Sequence, residues 1–333
     1  MSWRPEVEGP AVLEIDDLHV VYRLGFRRSV RAVAGVSLRL RQGRTLALIG
    51  ESGSGKSTIA RAVCGLGPIE SGAIRVGGQK VSEAPDRAAA AGRAGVQIVF
   101  QDPVSALDPR WPVWRSVSEP RWRSHKRGRE ARAHAVAMLE HVGLDPALAD
   151  RRPAALSGGQ KQRVTIARAL STRPLLIILD EAVSALDVSV RNEILALLHE
   201  IRIADGLTYL LISHDMGAVV QIATDVAVLY LGQLVEAGEA RQVIGAPAHP
   251  YTQALVRAVP TLERAGVVPA ARLRGEIGSP EHPPPGCRFH PRCPLAVARC
   301  ANEAPAWRTV RGREVACHRA EETELVGSDR CEV

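Results

Sequence analysis

Residues 45–58 read TLALIGESGSGKST. The first five form a short apolar run of strand type, closed by glycine. Within the next nine, Gly50 to Thr58, residues 50–57 fit the pattern G-x-x-x-x-G-K-[ST]. Gly50, Gly53 and Gly55 let the backbone curl, so that successive N–H groups around Ser52 and Ser54 turn inward. A helix is expected from residue 57, in STIARAVCGL, with its N-terminus aimed at the same point. Amides and helix end together make a nest for phosphate oxygens, with Lys56 reaching the outer phosphates and the Ser57 hydroxyl suited to Mg²⁺. A glycine-rich turn with a chance lysine is the bland alternative. A strand before and a helix after make it the weaker one.

Further along, LLIILDE at 175–181 supplies a partner for this loop. An unbroken apolar strand suits a parallel sheet covered on both faces. It ends in Asp180, whose carboxylate would face the Mg²⁺ side of a nucleotide. Glu181 follows as a candidate general base for water, worth about 10²- to 10⁴-fold in rate. Two solvated acids at a strand end are common in isolation; the phosphate loop upstream makes that reading less attractive.

The surrounding pattern is that of an α/β protein. Residues 11–48 alternate in strand fashion, GAIRVGG and VQIVF read as short strands, and 103–170 reads as mostly helical. Val190, Ile194, Leu197, Leu198 and Ile201 share one helix face. TYLLISHD and DVAVLYLGQLVEAG add strands, so strands and helices alternate around a central parallel sheet. After about residue 245 the chain turns proline-rich, and GSPEHPPPGC reads as a linker with little regular structure. The net charge of +7 comes from scattered arginines, the densest knot being RWRSHKRGREAR at 121–132. Aromatics at 4% leave no stacking platform for bases, so nucleic acid is not an expected partner. The start MSWRPEVEGP has no apolar stretch behind a basic end, and the longest apolar runs are too short to cross a bilayer.

At LSGGQKQR (156–163) the chain resembles the ABC-type ATPases, whose signature motif this is. Ser157, Gly158, Gly159 and Gln160 open a helix containing Val164, Ala167 and Leu170, a second anion site at a helix N-terminus. The remaining motifs of that family follow in order. Tyr22 matches the residue that stacks on adenine, and Gln101 in VFQDP the glutamine that senses Mg²⁺ and the attacking water. Ser184 and Asp187 in SALD match the loop crossing the dimer interface, and His214 in LISHD the switch histidine at the γ-phosphate. A lone histidine is more often a satisfied core residue. Its place after LLIS, downstream of LDE, favours the switch role. Where relatives usually carry DEPTSALD, this chain has DEAVSALD, with Ala182 and Val183.

The resemblance covers roughly residues 11–260. It implies a P-loop NTPase (RecA-like) core over 11–245, with an antiparallel β subdomain and an inserted α-helical subdomain at about 103–170. An extension at 246–333 follows. It also implies ATP and Mg²⁺ as ligands, the metal held through Ser57, Gln101 and Asp180. Glu181, His214, Lys56 and Gln101 become the catalytic set. In this family each signature faces the ATP of a partner subunit, so a dimer is expected.

Three features resemble the oligopeptide/dipeptide import ATPases within that family: QDPVSALDPR, HPYTQALVRAVP at 249–260, and the tail GCRFHPRCPLAVARC…VACH. The first is closer to the second of the two ATPases such importers carry. A heterodimer with a sister ATPase is therefore expected, docked on two permease subunits at the cytoplasmic face of the membrane and served by an external binding protein. Alternatives are a non-transport ABC ATPase acting on nucleic acid, or an importer subunit for a solute such as nickel or glutathione. Cys287, Cys293, Cys300 and Cys317 run C-x5-C-x6-C-x16-C. Disulfides are a poor explanation in a reducing compartment, and the close C-x2-C pairs usual for zinc are absent. Four such thiolates can still hold an iron–sulfur cluster. The subfamily resemblance implies a [4Fe–4S] cluster here, ahead of zinc, with zinc ahead of free thiols. Its expected role is structural, pinning a tail too poor in apolar mass to fold alone.

Overall fold

A computed structural model describes residues 1–3, 9–24, 28–121, 128–258 and 278–322. Residues 122–127 of the arginine-rich knot lie outside them, as do residues 259–277 of the extension and the last residues, 323–333.

The chain opens with β1 (Ser2–Trp3), β2 (Ala11–Arg23), β3 (Ser29–Arg41) and β4 (Thr45–Ile49), then α1 (Lys56–Val63). β5 (Ser71–Val76), β6 (Gln79–Lys80), α2 (Arg87–Arg93) and β7 (Val96–Val99) follow. A helical stretch comes next: α3 (Val113–Ser118), α4 (Gly128–His141) and α5 (Gly158–Leu170). Strand–helix alternation resumes with β8 (Leu176–Asp180), α6 (Val188–Asp205), β9 (Thr208–Ile212), α7 (Met216–Ile222), β10 (Asp225–Tyr230), β11 (Gln233–Glu239) and α8 (Ala240–Gly245). The remainder holds α9 (Pro250–Arg257), α10 (Ala298–Asn302), β12 (Arg308–Val310) and β13 (Arg313–Val315).

Two sheets carry the molecule. The first, ordered β1-β3-β2-β5-β6, is antiparallel apart from the β1–β3 pair. Its alternation buries Leu13, Ile15, Leu18 and Val20 of β2 against Val33, Val36, Leu38 and Leu40 of β3. The second is ordered β12-β13-β11-β10-β4-β9-β8-β7. Its β10-β4-β9-β8-β7 part is parallel, and every residue of β4, β9 and β10 is buried. That is the reason these strands read as unbroken apolar runs. No helix among the described residues is long and apolar enough to cross a membrane.

Two stretches differ from the sequence reading. Residues 103–112, the start of the stretch read as mostly helical, are turns. Asp102 accepts from the N–H groups of Val104 (2.9 Å) and Ser105 (3.3 Å), and Asp108 from that of Arg110 (2.9 Å). Such side-chain bonds offer the backbone an alternative to the helix ladder. The tail is the second: the linker 278–287 is irregular as read, but beyond it the chain forms strands that join the core. β13 pairs antiparallel with β11 and so continues the central sheet, with β12 as the new edge. Phe289 is fully buried in the main core. Strand pairing and packing therefore anchor the tail.

Candidate functional site

The phosphate loop leaves β4 at the carboxyl edge of the parallel strands. Gly50 there has φ +147°, and a Cβ would stand 2.2 Å from the Leu229 carbonyl oxygen. Only glycine lets the loop pass so close to β10. The hairpin behind closes on it, the Gly232 N–H donating to the Ser54 carbonyl at 2.8 Å. Lys56 is buried, its Nζ donating to the carbonyls of Gly50 (2.7 Å) and Glu51 (2.9 Å) and to Ser54 Oγ (3.3 Å). Burial lowers its pKa, while the charges of Glu181, Asp180 and Glu51 pull it back up. An anion entering the nest would meet a lysine held by carbonyls that it can leave.

β8 delivers the acids to the same edge. Ser57 Oγ donates to Asp180 Oδ1 at 3.1 Å, joining the first turn of α1 to the end of β8. Burial raises the Asp180 pKa, the Ser57 bond opposes this, and Glu181 adds to the rise. A hydroxyl and a half-buried carboxylate that gains from a cation fit Mg²⁺. Glu181 has φ +51°, uncommon for a non-glycine residue. Its N–H donates to the Ile212 carbonyl at 3.0 Å, and its own carbonyl accepts from Ser184 N–H (3.1 Å) and Oγ (2.9 Å). Glu181 Oε1 stands 3.3 Å from His214 Nδ1. Ala182 and Val183 are buried in the main core, so the turn is tied by hydrogen bonds and packing where a proline is absent.

Other expected residues lie around this centre. Gln101 is exposed two residues beyond β7, whose Val99 pairs with Leu179 beside Asp180. Tyr22 sits half-buried on β2, packed at the margin of the first sheet's core. Ser157 caps α5 in a reciprocal box: its Oγ accepts from the Gln160 N–H (3.2 Å), and its own N–H donates to Gln160 Oε1 (3.0 Å). Asp187 is the N-cap of α6.

The chain is similar to known proteins. The family described as ABC transporter matches residues 33–184, and that described as oligopeptide/dipeptide transporter, C-terminal region, matches 235–300. The chain is 42% identical to the di/tripeptide transport ATP-binding protein DppF of Pseudomonas aeruginosa (strain UCBPP-PA14), over 88% of this chain and 91% of that one. It is 41% identical to the oligopeptide transport ATP-binding protein AppF of Bacillus subtilis (strain 168), over 92% and 97%. The chain belongs to the ABC transporter ATP-binding proteins. Solved cassettes agree. The dimeric post-hydrolysis state of MJ0796 with ADP and Pi superposes with TM-score 0.62 and 27% identity, over 69% of this chain and 99% of that one. For cbiO1 of Clostridium perfringens, part of the transporter complex cbiONQ, the values are 0.62 and 28%, over 70% and 90%. The chain is therefore an ABC-type ATPase, with the mixed α/β fold that its motifs imply.

Two features of this ABC protein were not read from sequence. Arg191 on α6 donates to the Leu186 carbonyl (3.1 Å) and pairs with Asp215, the N-cap of α7 directly after His214. It ties the 184–187 loop to the histidine. The second is a clasp on the phosphate loop itself. The Glu51 N–H donates to Tyr251 Oη at 2.7 Å, and the Glu51 carboxylate takes both terminal nitrogens of Arg292, at 2.6 and 3.0 Å. An acid inside an anion-binding loop was the available signal that a cation must sit nearby.

The four tail cysteines gather in one region. Burial raises the Cys287 thiol, Cys293 to about 11 and Cys317 to about 12, and in each case the neighbouring thiols add to the rise. Among the described residues no three His, Cys, Asp or Glu side chains group closely enough to hold one metal ion. Backbone N–H groups point at the sulfurs, that of Arg319 reaching Cys317 Sγ at 3.4 Å. Cys64 is buried below α1 and its thiol is pushed up to about 12 by burial, as suits packing.

Proposed function

We propose that this ATPase energises the import of peptides across the cytoplasmic membrane, acting as a peripheral subunit on the cytoplasmic side. What carries the reading is the tail: residues 235–300 match the C-terminal region of oligopeptide/dipeptide transporters, and relatives such as DppF and AppF bear peptide-transport names over nine-tenths of their length. Residues 11–245 act as the nucleotide-binding unit, with its helical part at about 103–170, and 246–333 as the extension. Two permease subunits, a sister ATPase and an external binding protein complete the assembly. The solved cassette of MJ0796 that it resembles is dimeric.

ATP lies against Tyr22 and in the 50–58 loop, where Lys56 exchanges its carbonyl partners for the outer phosphates. Ser57, Asp180 and Gln101 would hold Mg²⁺, which supplies charge neutralisation at the phosphates. Closure brings the partner's signature onto this ATP and places Ser157, Gly158, Gly159 and Gln160 on the partner's nucleotide, with Ser184 and Asp187 at the seam. Glu181 takes the proton of the attacking water, and His214 and Lys56 stabilise charge on the transferring phosphoryl group. Cys287, Cys293, Cys300 and Cys317 would hold a [4Fe–4S] cluster, a structural brace for the tail. The reading rests on the resemblance of the tail to the C-terminal region of oligopeptide/dipeptide transporters and on the four cysteines lying near enough to act on one another's charge. Zinc is the alternative, and colour with iron and sulfide analysis of anaerobically purified protein decides between them.

The whole reading is tested by reconstituting the chain with its permeases and sister ATPase in liposomes. Di- or oligopeptide uptake that needs ATP and is lost in Lys56→Ala supports it. Uptake of nickel or glutathione but no peptide overturns the substrate class. Lys56→Ala binding nucleotide normally overturns the loop assignment.

A further inference from the structure

Glu51 places a carboxylate in the first turn of a loop built for triphosphate. Left alone it would repel that ligand. Arg292, set between Cys287 and Cys293, answers it with a two-armed pair, and its side chain is only 6% exposed against 25% for Glu51. The guanidinium has its own seat. It lies 5.9 Å above the Tyr230 ring and donates to Tyr230 Oη at 3.5 Å. Tyr230 packs edge-on against Tyr251 (4.7 Å) and Phe289 (5.2 Å), three fully buried rings from β10, α9 and the tail. Tyr251 accepts from the Glu51 N–H, so backbone and carboxylate of one loop residue are both gripped from the extension. The carbonyl of that same residue holds Lys56 Nζ at 2.9 Å.

We propose that Arg292 is a positioning residue for the phosphate loop, and that through the Arg292–Glu51 pair nucleotide binding and docking of the cysteine-bearing tail are thermodynamically linked. The proposal rests on the nucleotide reading of the 50–58 loop and adds a role for the extension to it. Arg292 cancels the carboxylate at the mouth of the anion site and fixes the start of the loop, so the nest is formed before the ligand arrives. Linkage is reciprocal: a nucleotide that favours the clasped loop must also favour the docked tail.

The test is a set of Mg²⁺-nucleotide affinities measured with a fluorescent ATP analogue on the full chain. Arg292→Met strands the acid beside the triphosphate and should weaken binding by ~10-fold or more. Glu51→Gln removes the carboxylate and should lose less. The double variant should match Glu51→Gln, since the arginine has nothing left to cancel. A structural role alone would make the two losses add, and that additivity overturns the proposal. Wild-type affinity in Arg292→Met overturns it too. Should Arg292→Met fail to fold, Arg292→Lys keeps the charge but loses one arm, and ~3-fold weaker binding is expected; unchanged affinity there is equally fatal. As a second readout, amide hydrogen exchange over 286–300 should slow when nucleotide saturates the wild type and stay unchanged in Glu51→Gln. Equal exchange with and without nucleotide in the wild type refutes the linkage. Loss of all nucleotide binding by the wild type itself would instead strike the underlying loop assignment.

Discussion

At the scale of one residue, Glu181 shows how a local conformation serves chemistry. A non-glycine side chain at φ +51° sits in a sparsely populated region, which costs of order 1–3 kcal/mol unless its surroundings hold it. Here three hydrogen bonds do so, one to Ile212 and two from Ser184. The backbone thus fixes where the carboxylate points, and His214 stands 3.3 Å from it. Glu181→Gln keeps the shape and removes the proton acceptor. Phosphate release should fall by ~10²-fold or more with nucleotide affinity preserved. Turnover at the wild-type rate would mean that the base is another group.

At the scale of elements, what could be read from sequence depended on how far apart the partners lie in the chain. β4, the loop and α1 are contiguous, so residues 45–58 announce strand, nest and helix together. β8 is recognisable because both its faces are covered and it reads apolar throughout. The clasp joins residues 241 positions apart, and no local periodicity marks it. The tail hairpin, by contrast, carries a local signal in the sequence. In RTVRGREV, Arg311 and Gly312 both have positive φ (50° and 76°) between Val310 and Arg313, which pair. That is the two-residue turn whose twist suits a hairpin. The signature helix yields a prediction of the same scale. Gly159 lies against α6, and a Cβ there would stand 2.7 Å from Val190 Cγ1. Gly159→Ala should lower stability by ~1–3 kcal/mol through overpacking between α5 and α6. Adding Val190→Ala should restore the melting temperature but not the ATPase rate, if Gly159 also serves the partner's nucleotide. Recovery of both together would reduce this glycine to a packing residue.

At the scale of the molecule, the extension is bound to the core by a buried charge arrangement that makes its docking depend on pH. Glu236 on β11 accepts from the N–H groups of Ala248 (2.8 Å) and His249 (2.9 Å), and Arg313 on β13 lies 3.5 Å from it. His249 caps α9, its Nδ1 accepting from the Tyr251 N–H at 3.1 Å. Burial pushes the His249 pKa from 6.5 down to about 3, so the docked state binds fewer protons than the unfolded one between those values. Stability from this group is present above pH 6.5 and is lost as pH falls below it. Burial raises Glu236 from 4.5 to about 6, so the docked state gains stability as pH falls through that window. The two groups oppose each other, and the histidine, with the larger shift and the higher unfolded pKa, sets the sign: acidification from pH 7 to pH 5 costs stability. Thermal melting should therefore drop between pH 7 and pH 5. His249→Asn keeps a cap acceptor and removes the titrating ring, so only the glutamate term remains and the same acidification should leave the melting temperature level or raise it. Equal pH slopes in wild type and His249→Asn would show that this histidine does not govern the acid response. Following the melt by amide exchange over α9 and β13, which meet at Glu236, should show the loss in the extension first.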